Sequence, residues 1–161
     1  MSQSELQQEA KAFFMKAYEH QMRGQLEEAI ACYAKSIELH PTAEAHTFLG
    51  WTYSFMGRLE EAIAECKKAI AVDPDFGNPY NDIGAYLIER GQLDEAITWL
   101  EQATQAKRYE ARMFPYYNLG RVWEMKGRFQ DAMGCYQQAL QQDPEYALAH
   151  AAIRRLQAMS N

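Results

Sequence analysis

Three pairs of acidic residues recur along the chain, and paired carboxylates are a common set of acid and base groups in enzymes. The pairs are Glu27–Glu28, Glu60–Glu61 and Asp94–Glu95. Each pair lies in the first turn of a predicted helix, where negative charge complements the helix dipole. Because an active site normally occurs once in a chain whereas these pairs recur, we interpret them as helix-stabilising residues.

The four histidines are the other residues suited to metal binding or proton transfer. They are His20, His40, His46 and His150. No two of them have the i, i+4 spacing of a helical zinc site with a nearby acid. The chain also has no glycine-rich phosphate loop and no supported Ser-His-Asp pattern. We therefore predict no catalytic residues, no metal site, no cofactor and no enzymatic activity.

Charge and cysteine content narrow the class of protein further. The chain of 161 residues has a formal net charge of −6 and a pI of about 5.2, which argues against nucleic-acid binding. No apolar run approaches the roughly 20 residues that span a bilayer. The N-terminus lacks the order of a secretory signal. Cys32, Cys66 and Cys135 form no C-x-x-C pair, and we interpret them as free thiols of a reducing compartment. These features predict a cytoplasmic protein without membrane insertion.

The elements that position these residues come from an internal repeat. One phrase occurs four times, as GQLEEAI from Gly24, GRLEEAI from Gly57, GQLDEAI from Gly91 and GRFQDAM from Gly127. The alanine of the phrase recurs after 33, 34 and 36 residues. A period in this range indicates stacked units of secondary structure. Apolar residues follow helical spacing on both sides of the glycine, so each unit is predicted to contain two helices.

The second unit, Ala43 to Phe76, closely resembles a tetratricopeptide repeat. Its matches at the signature positions of that family are Leu49, Gly50, Tyr53, Ala62, Ala69 and Pro74. The third and fourth units keep most of these positions, and the first unit is the most divergent. The resemblance therefore extends over four copies in register.

This resemblance implies an all-α, right-handed superhelical solenoid of about nine helices in a single domain, residues 1–161. The four repeats are expected at residues 10–42, 43–76, 77–110 and 113–146, followed by a capping helix at 147–159. Ser2 and Glu5, or Ser4 and Gln7, have capping-box spacing, so the first helix is predicted to begin near residue 3.

The resemblance also implies a concave groove lined by the first helix of each repeat. Large apolar and aromatic side chains dominate the predicted lining, and an exposed patch of that kind usually marks an interaction site. The predicted partner-binding residues are Phe14, Tyr18, Met22, Trp51, Phe55, Asn81, Phe114, Tyr117, Arg121 and Met125.

Some members of the family hold the C-terminus of a chaperone with lysine, arginine and asparagine on this face. The corresponding residues here are Phe14, Tyr18, Phe48, Asn78 and Asp82 in one frame, and Thr47, Trp51, Asp82, Phe114 and Asn118 in the frame one repeat later. Neither set contains a cation. We therefore expect the groove to take an extended or helical segment with apolar anchors rather than a terminal carboxylate.

The predicted function is protein–protein interaction, as an adaptor or scaffold that presents its groove to a protein or peptide partner. The expected state is a monomer or a weak homo-oligomer. One alternative is a cytoplasmic chaperone for a specific secreted or membrane-inserting client. Another is a self-assembling scaffold. An enzyme is not expected, because repeats of this type host function by grafted sites and none is visible.

The spacing between the third and fourth repeats is two residues longer than the spacing before it. The segment QAKRYEARMFP at this point contains strong helix formers and lacks the proline expected near Arg108. It allows two interpretations. Either the second helix of the third repeat continues to about Tyr109, or the extra residues form a longer turn that leaves the stacking unchanged.

Overall fold

A computed structural model describes all residues, 1–161, and contains nine α-helices. The helices are α1 (Gln3–Met22), α2 (Leu26–Leu39), α3 (Ala43–Phe55), α4 (Leu59–Val72), α5 (Asn78–Glu89), α6 (Leu93–Gln105), α7 (Met113–Met125), α8 (Phe129–Gln142) and α9 (Ala147–Met159). The prediction of an all-α solenoid with nine helices is confirmed. Helix α9 covers the range predicted for the capping helix.

Local signals in the sequence define the ends of these helices. Helix α1 begins with a capping box, in which Ser2 and Glu5 each accept a hydrogen bond from the backbone N–H of the other. Each first helix of a repeat ends before a glycine with a positive φ, such as Gly57 at 74°. There the N–H of Gly57 donates to the carbonyl of Ser54 at 3.1 Å, and the N–H of Arg58 donates to that of Tyr53 at 3.0 Å. A left-handed residue at this point reverses the chain without a steric penalty only if it is glycine.

The helices pack in sequence order, with each helix against the next along the chain. In addition, α3 contacts α5, and α5 contacts α7. These are first helices of successive repeats, and they approach one another closely because the stack curves toward them. The first helices therefore line the inner face of the solenoid. Small residues at the helix crossings permit this packing, and Ala29, Ala62, Ala96 and Ala132 are completely buried.

The junction between the third and fourth repeats is a longer turn, the second of the two interpretations above, and not an extended helix. Helix α6 ends at Gln105, so the prediction that it continues to about Tyr109 is wrong, and the extra residues form a longer turn. The turn packs back on the loop between α4 and α5. The N–H of Arg108 donates to the carbonyl of Asp75 at 2.9 Å, and the N–H of Gly77 donates to the carbonyl of Arg108 at 3.1 Å. These long-range bonds replace the helical bonds that local propensity favours.

Side chains of the same turn complete its attachment. The guanidinium of Arg108 binds Asp73 at 2.7 Å and Glu44 at 3.3 Å. The Tyr109 ring lies directly against Gly77, where a Cβ atom would collide with it. The guanidinium of Arg112 donates to the carbonyls of Thr104, Ala106 and Tyr109, which lack helical partners once α6 has ended.

Candidate functional site

The inner face carries a cavity that spans three successive first helices. Its volume is about 270 Å³. It is lined by Thr47, Phe48 and Trp51 of α3, Asn78 and Asp82 of α5, and Phe114 of α7. We call these six residues the central groove. A site of this kind needs the stacking of three repeats, because no single repeat supplies more than one wall.

A larger cleft of about 410 Å³ lies at the N-terminal end of the chain, between α1 and the connection from α2 to α3. Its lining is mainly polar, and Phe14 is the one predicted partner-binding residue in it. The central groove combines aromatic walls with polar groups in its floor, which is the usual composition of a binding site. For this reason we regard the central groove as the better candidate.

Aromatic rings from α1, α2 and α3 form one continuous cluster beside the groove. We call it the N-terminal aromatic cluster, and its members are Phe14, Tyr18, Tyr33, Phe48, Trp51 and Phe55. Phe14 and Phe48 meet edge to face with ring centres 5.2 Å apart. The rings of Trp51 and Phe55 are 4.9 Å apart on adjacent turns of α3. Edge-to-face contacts of this kind hold the rings in fixed orientations, so Phe48 and Trp51 form a preorganised wall.

A second group of rings lies at the other end of the inner face. This C-terminal aromatic cluster consists of Phe114, Tyr117, Tyr136 and Tyr146, with neighbouring ring centres 5.6 to 5.8 Å apart. A cavity of about 290 Å³ adjoins it, and Arg121, Glu124, Met125 and Arg155 contribute to its lining. Glu124 accepts hydrogen bonds from the Tyr136 hydroxyl at 2.8 Å and from Arg155 at 2.6 Å. This end of the face is therefore more strongly charged than the N-terminal end.

Polar side chains separate the two aromatic clusters. The amide of Asn118 donates to Asn81 Oδ1 at 3.0 Å, and the Arg121 guanidinium donates to Asn118 Oδ1 at 3.0 Å. Asn81 is buried in this contact between α5 and α7, although it was predicted to be available to a partner. Its amide can reach Asn118 because the first helices of the third and fourth repeats lie side by side. Asn81 thus joins two repeats.

Asp82 is the acidic group of the central groove, and it was not among the predicted partner-binding residues. Its side chain is partly buried, and burial raises its pKa to about 7, an effect that the neighbouring Asn81 amide only partly offsets. Asp82 occupies the position of Phe48 in the second repeat and of Asn118 in the fourth. Alignment of the repeats at their glycines identifies this position as inward-facing, and that is the signal by which Asp82 and Phe48 could have been found.

The structure distributes the remaining predicted residues over three locations. Trp51 and Phe114 line the central groove. Tyr117, Arg121 and Met125 line the cavity at the C-terminal aromatic cluster. Phe14 is a half-buried member of the N-terminal aromatic cluster, Tyr18 and Phe55 are exposed members of it, and Met22 is an exposed residue of α1. The predicted set is therefore one face of the solenoid but not one pocket.

Groups that could hold a metal ion are not assembled anywhere in the structure. No cluster of three or more histidine, cysteine, aspartate and glutamate residues has the proximity that a metal ion requires. One histidine–carboxylate pair is buried between α3 and α4, where His46 Nδ1 lies 2.8 Å from Glu65 Oε2. Burial opposes the charge on Glu65, but hydrogen bonds from His46 and Lys68 hold its pKa below its usual value. This arrangement ties two helices together.

Comparison with known protein families identifies the repeats. The family model described as tetratricopeptide repeat matches residues 10–43 and 114–146, and two further models with the same description match residues 43–76 and 65–98. No curated protein is significantly similar to the chain in sequence. No helix combines the length and the apolar character that crossing a membrane demands.

Several solved structures have the same fold. The chain is similar to PilF of Pseudomonas aeruginosa, with a TM-score of 0.88 and 23% identity over 98% of this chain and 70% of that one. It is similar to MamA, with a TM-score of 0.74 and 23% identity over 89% and 84% of the two chains. It is also similar to YrrB, described as having an unusual peptide-binding site, with a TM-score of 0.72 and 18% identity over 90% and 74%. At these identities the likeness shows the fold alone.

Proposed function

Because the chain belongs to the tetratricopeptide repeat family, a family of protein-interaction modules, we propose that it is an adaptor or scaffold that binds a segment of a partner protein in its central groove. The observation that carries this proposal is the cavity of about 270 Å³ between α3, α5 and α7, with Phe48, Trp51 and Phe114 in its walls. Full burial of one aromatic side chain contributes roughly 1.5–3 kcal/mol. Two or three such contacts suffice for binding once the ordering of the segment is subtracted, and we expect micromolar affinity.

The partner segment is expected to extend beyond the groove toward both aromatic clusters. Phe55 is 57% exposed on one side, and Met125 is 55% exposed on the other. These side chains continue the apolar surface of Trp51 and of Tyr117 along the inner face. We propose that nine of the ten predicted residues, all except Asn81, contact the partner.

A selection with a display library of random short peptides on the full chain tests this proposal. The groove variant Trp51→Ala with Phe114→Ala is expected to lose the binding of the selected peptides while its helicity by circular dichroism stays the same. The matched control is Val72→Ala with Leu148→Ala, which removes two exposed apolar side chains outside the groove and leaves the affinity unchanged. Wild-type affinity in the groove variant would place the binding site elsewhere and refute the proposal.

We propose further that the chain acts in the cytoplasm, as a monomer or a weak homo-oligomer. Free Cys32, Cys66 and Cys135 are compatible with a reducing compartment. The net charge of −6 and the acidic group in the groove disfavour a nucleic-acid partner. Sedimentation velocity over a range of concentrations tests the oligomeric state, and a tight dimer at the lowest concentration would contradict it.

A further inference from the structure

We propose that the central groove selects a partner segment with a lysine or arginine, whose cationic group pairs with the Asp82 carboxylate between Trp51 and Phe114. This inference rests on the proposed function, since it names the chemistry that the same groove recognises. It also assigns a role to a residue that the aromatic pattern of the inner face does not include.

The position of Asp82 supports a ligand-facing role. It belongs to α5, the middle of the three helices that form the groove, and it lines the same cavity as the aromatic side chains of α3 and α7. One turn further along α5 is Ala85, which corresponds to Trp51 in the second repeat and to Arg121 in the fourth. The residue one turn after Asp82 is therefore small where both neighbouring repeats carry a bulky side chain. The cavity itself is bounded by Asp82 and not by Ala85.

Asp82 has no ionic partner within the chain. None of the salt bridges in the structure includes it. The nearby arginines of this face are engaged elsewhere, since Arg108 binds Asp73 and Glu44 and Arg121 binds Asn118. A partly buried carboxylate without a counter-ion is costly, and a cation supplied by a ligand removes that cost. Charge complementarity thus favours a basic residue over an acidic or neutral one.

The surroundings of Asp82 also favour a cationic ligand group. The titratable groups on which Asp82 acts electrostatically are Cys66 on α4, Tyr86 on α5 and Tyr109 in the turn before α7. Burial, more than Asp82, raises the pKa of each of them. All three are therefore neutral near pH 7. The faces of Trp51 and Phe114 are suited to the same guest, because aromatic rings attract lysine and arginine head groups. The groove offers one acidic group, no basic side chain and two aromatic walls.

The test uses the same random-peptide display library on the full chain. Peptides selected on the wild type are expected to carry a lysine or arginine at one fixed position next to apolar residues. Replacement of that lysine by acetyl-lysine, or of that arginine by citrulline, keeps the shape and removes the charge, and we expect it to weaken binding at least about tenfold. In Asp82→Asn the charged and uncharged peptides are expected to bind alike. The control Glu60→Gln removes an exposed carboxylate from α4 and leaves the tenfold preference intact.

The outcomes separate this inference from the proposed function. If the selected peptides lack a basic residue, or if the uncharged peptides bind the wild type as well as the charged ones, the inference is overturned. The proposed function survives in that case when Trp51→Ala with Phe114→Ala still abolishes binding. If that variant binds normally, both fail. The comparison of charged and uncharged peptides needs only the wild-type chain, so it tests the preference for a cation even if Asp82→Asn does not fold.

Discussion

The first and fourth repeats use equivalent residues to pack their two helices, and they differ in charge. Tyr33 and Tyr136 occupy the same position, and both side chains are completely buried. The Tyr33 hydroxyl donates to Gln21 Oε1 at 2.6 Å, and the Tyr136 hydroxyl donates to Glu124 Oε1 at 2.8 Å. Gln21 and Glu124 are themselves equivalent. The second and third repeats have Cys66 and Leu100 in place of the tyrosine and no such bond.

The consequence of this difference appears at the two ends of the solenoid. At the N-terminal end Tyr33 joins an aromatic cluster, and the amide nitrogen of Gln21 has no hydrogen-bond partner in the chain. At the C-terminal end Glu124 also binds Arg155 and so attaches the capping helix α9. Both tyrosines therefore belong to an aromatic cluster, but only the C-terminal tyrosine is also connected to an ion pair. The exchange of an amide for a carboxylate accounts for this difference in charge.

The largest expected effect comes from Gly120, which lies opposite the Tyr136 ring. A Cβ atom at this position would lie less than 3.0 Å from the ring, whereas the equivalent residue of the first repeat, Ala17, already carries one. Because the ring is buried and cannot move freely, Gly120→Ala should reduce the free energy of unfolding by about 1–3 kcal/mol. Urea denaturation measures the loss.

Gly134 provides the matched control for this substitution. It lies in α8 with no other heavy atom within 4 Å of an added Cβ. Gly134→Ala should therefore raise stability by about 0.5–1 kcal/mol through the helix preference of alanine alone. Equal midpoints for Gly120→Ala and the wild type would show that the fourth repeat accommodates a Cβ as the first repeat does.

The next effect compares the two tyrosine hydroxyls directly. Tyr33→Phe leaves the buried side chain of Gln21 without a partner for either of its polar atoms, so we expect a loss of about 1–2 kcal/mol. Tyr136→Phe should cost about half as much, since Glu124 keeps its bond to Arg155 and is partly exposed. Urea denaturation of both variants ranks them. The reverse order would mean that the carboxylate depends on the hydroxyl more than the amide does.

Much of this fold could be predicted because its signals are local. The repeated alanine, the glycine after each first helix and the helical spacing of apolar residues act within one repeat. Both ends of α9 were predicted at the residues where the structure has them. The family resemblance then supplied the order of stacking, which no local pattern contains.

The parts that could not be predicted depend on contacts between distant residues. The end of α6 is one of them, because Arg108 binds Asp73 from the preceding repeat and local helix propensity contains no information about that bond. Asn81 is another, since its burial requires Asn118 of the next repeat. The residue types favoured a longer helix near Arg108 and an exposed side chain at Asn81. In both cases a contact with a neighbouring repeat produced the opposite result.

A third prediction uses the acidity of the two tyrosines. Burial raises the pKa of both Tyr33 and Tyr136, and Glu124 adds to the effect at Tyr136. Below about pH 10 the two hydroxyls are protonated in both the folded and the unfolded chain. Above about pH 10 they ionise in the unfolded chain but stay protonated in the folded chain, so the free energy of unfolding falls as the pH rises. Each phenylalanine variant lacks one of the two titrating hydroxyls, so it does not lose the part of the stability that this hydroxyl accounts for. Between about pH 8 and about pH 11 the cost of either substitution should therefore shrink by about 1 kcal/mol.

Urea denaturation at the two pH values checks this expectation. Gly120→Ala changes no titrating group and should cost the same at both, which makes it the reference. A constant cost for Tyr33→Phe as well would mean that Tyr33 ionises in the folded state as readily as in the unfolded chain.

The smallest effect concerns the ion pair between Arg155 of α9 and Glu124. Arg155→Gln removes the charge that reaches Glu124 from α9, and the Arg155 side chain is 53% exposed. An ion pair with this exposure contributes about 0.5 kcal/mol, so global stability should hardly change. Hydrogen exchange is the more sensitive measurement, because a terminal helix that loses one attachment opens locally before the rest of the stack. Amides of α9 should exchange faster in this variant, and those of α1 should not.

About 1 M salt should produce the same acceleration in the wild type, since it screens an exposed pair. Arg154→Gln removes a neighbouring charge that takes part in no salt bridge and should leave exchange unchanged; equal exchange in α9 of all three proteins would show that the Tyr136–Glu124 bond alone closes the C-terminal end.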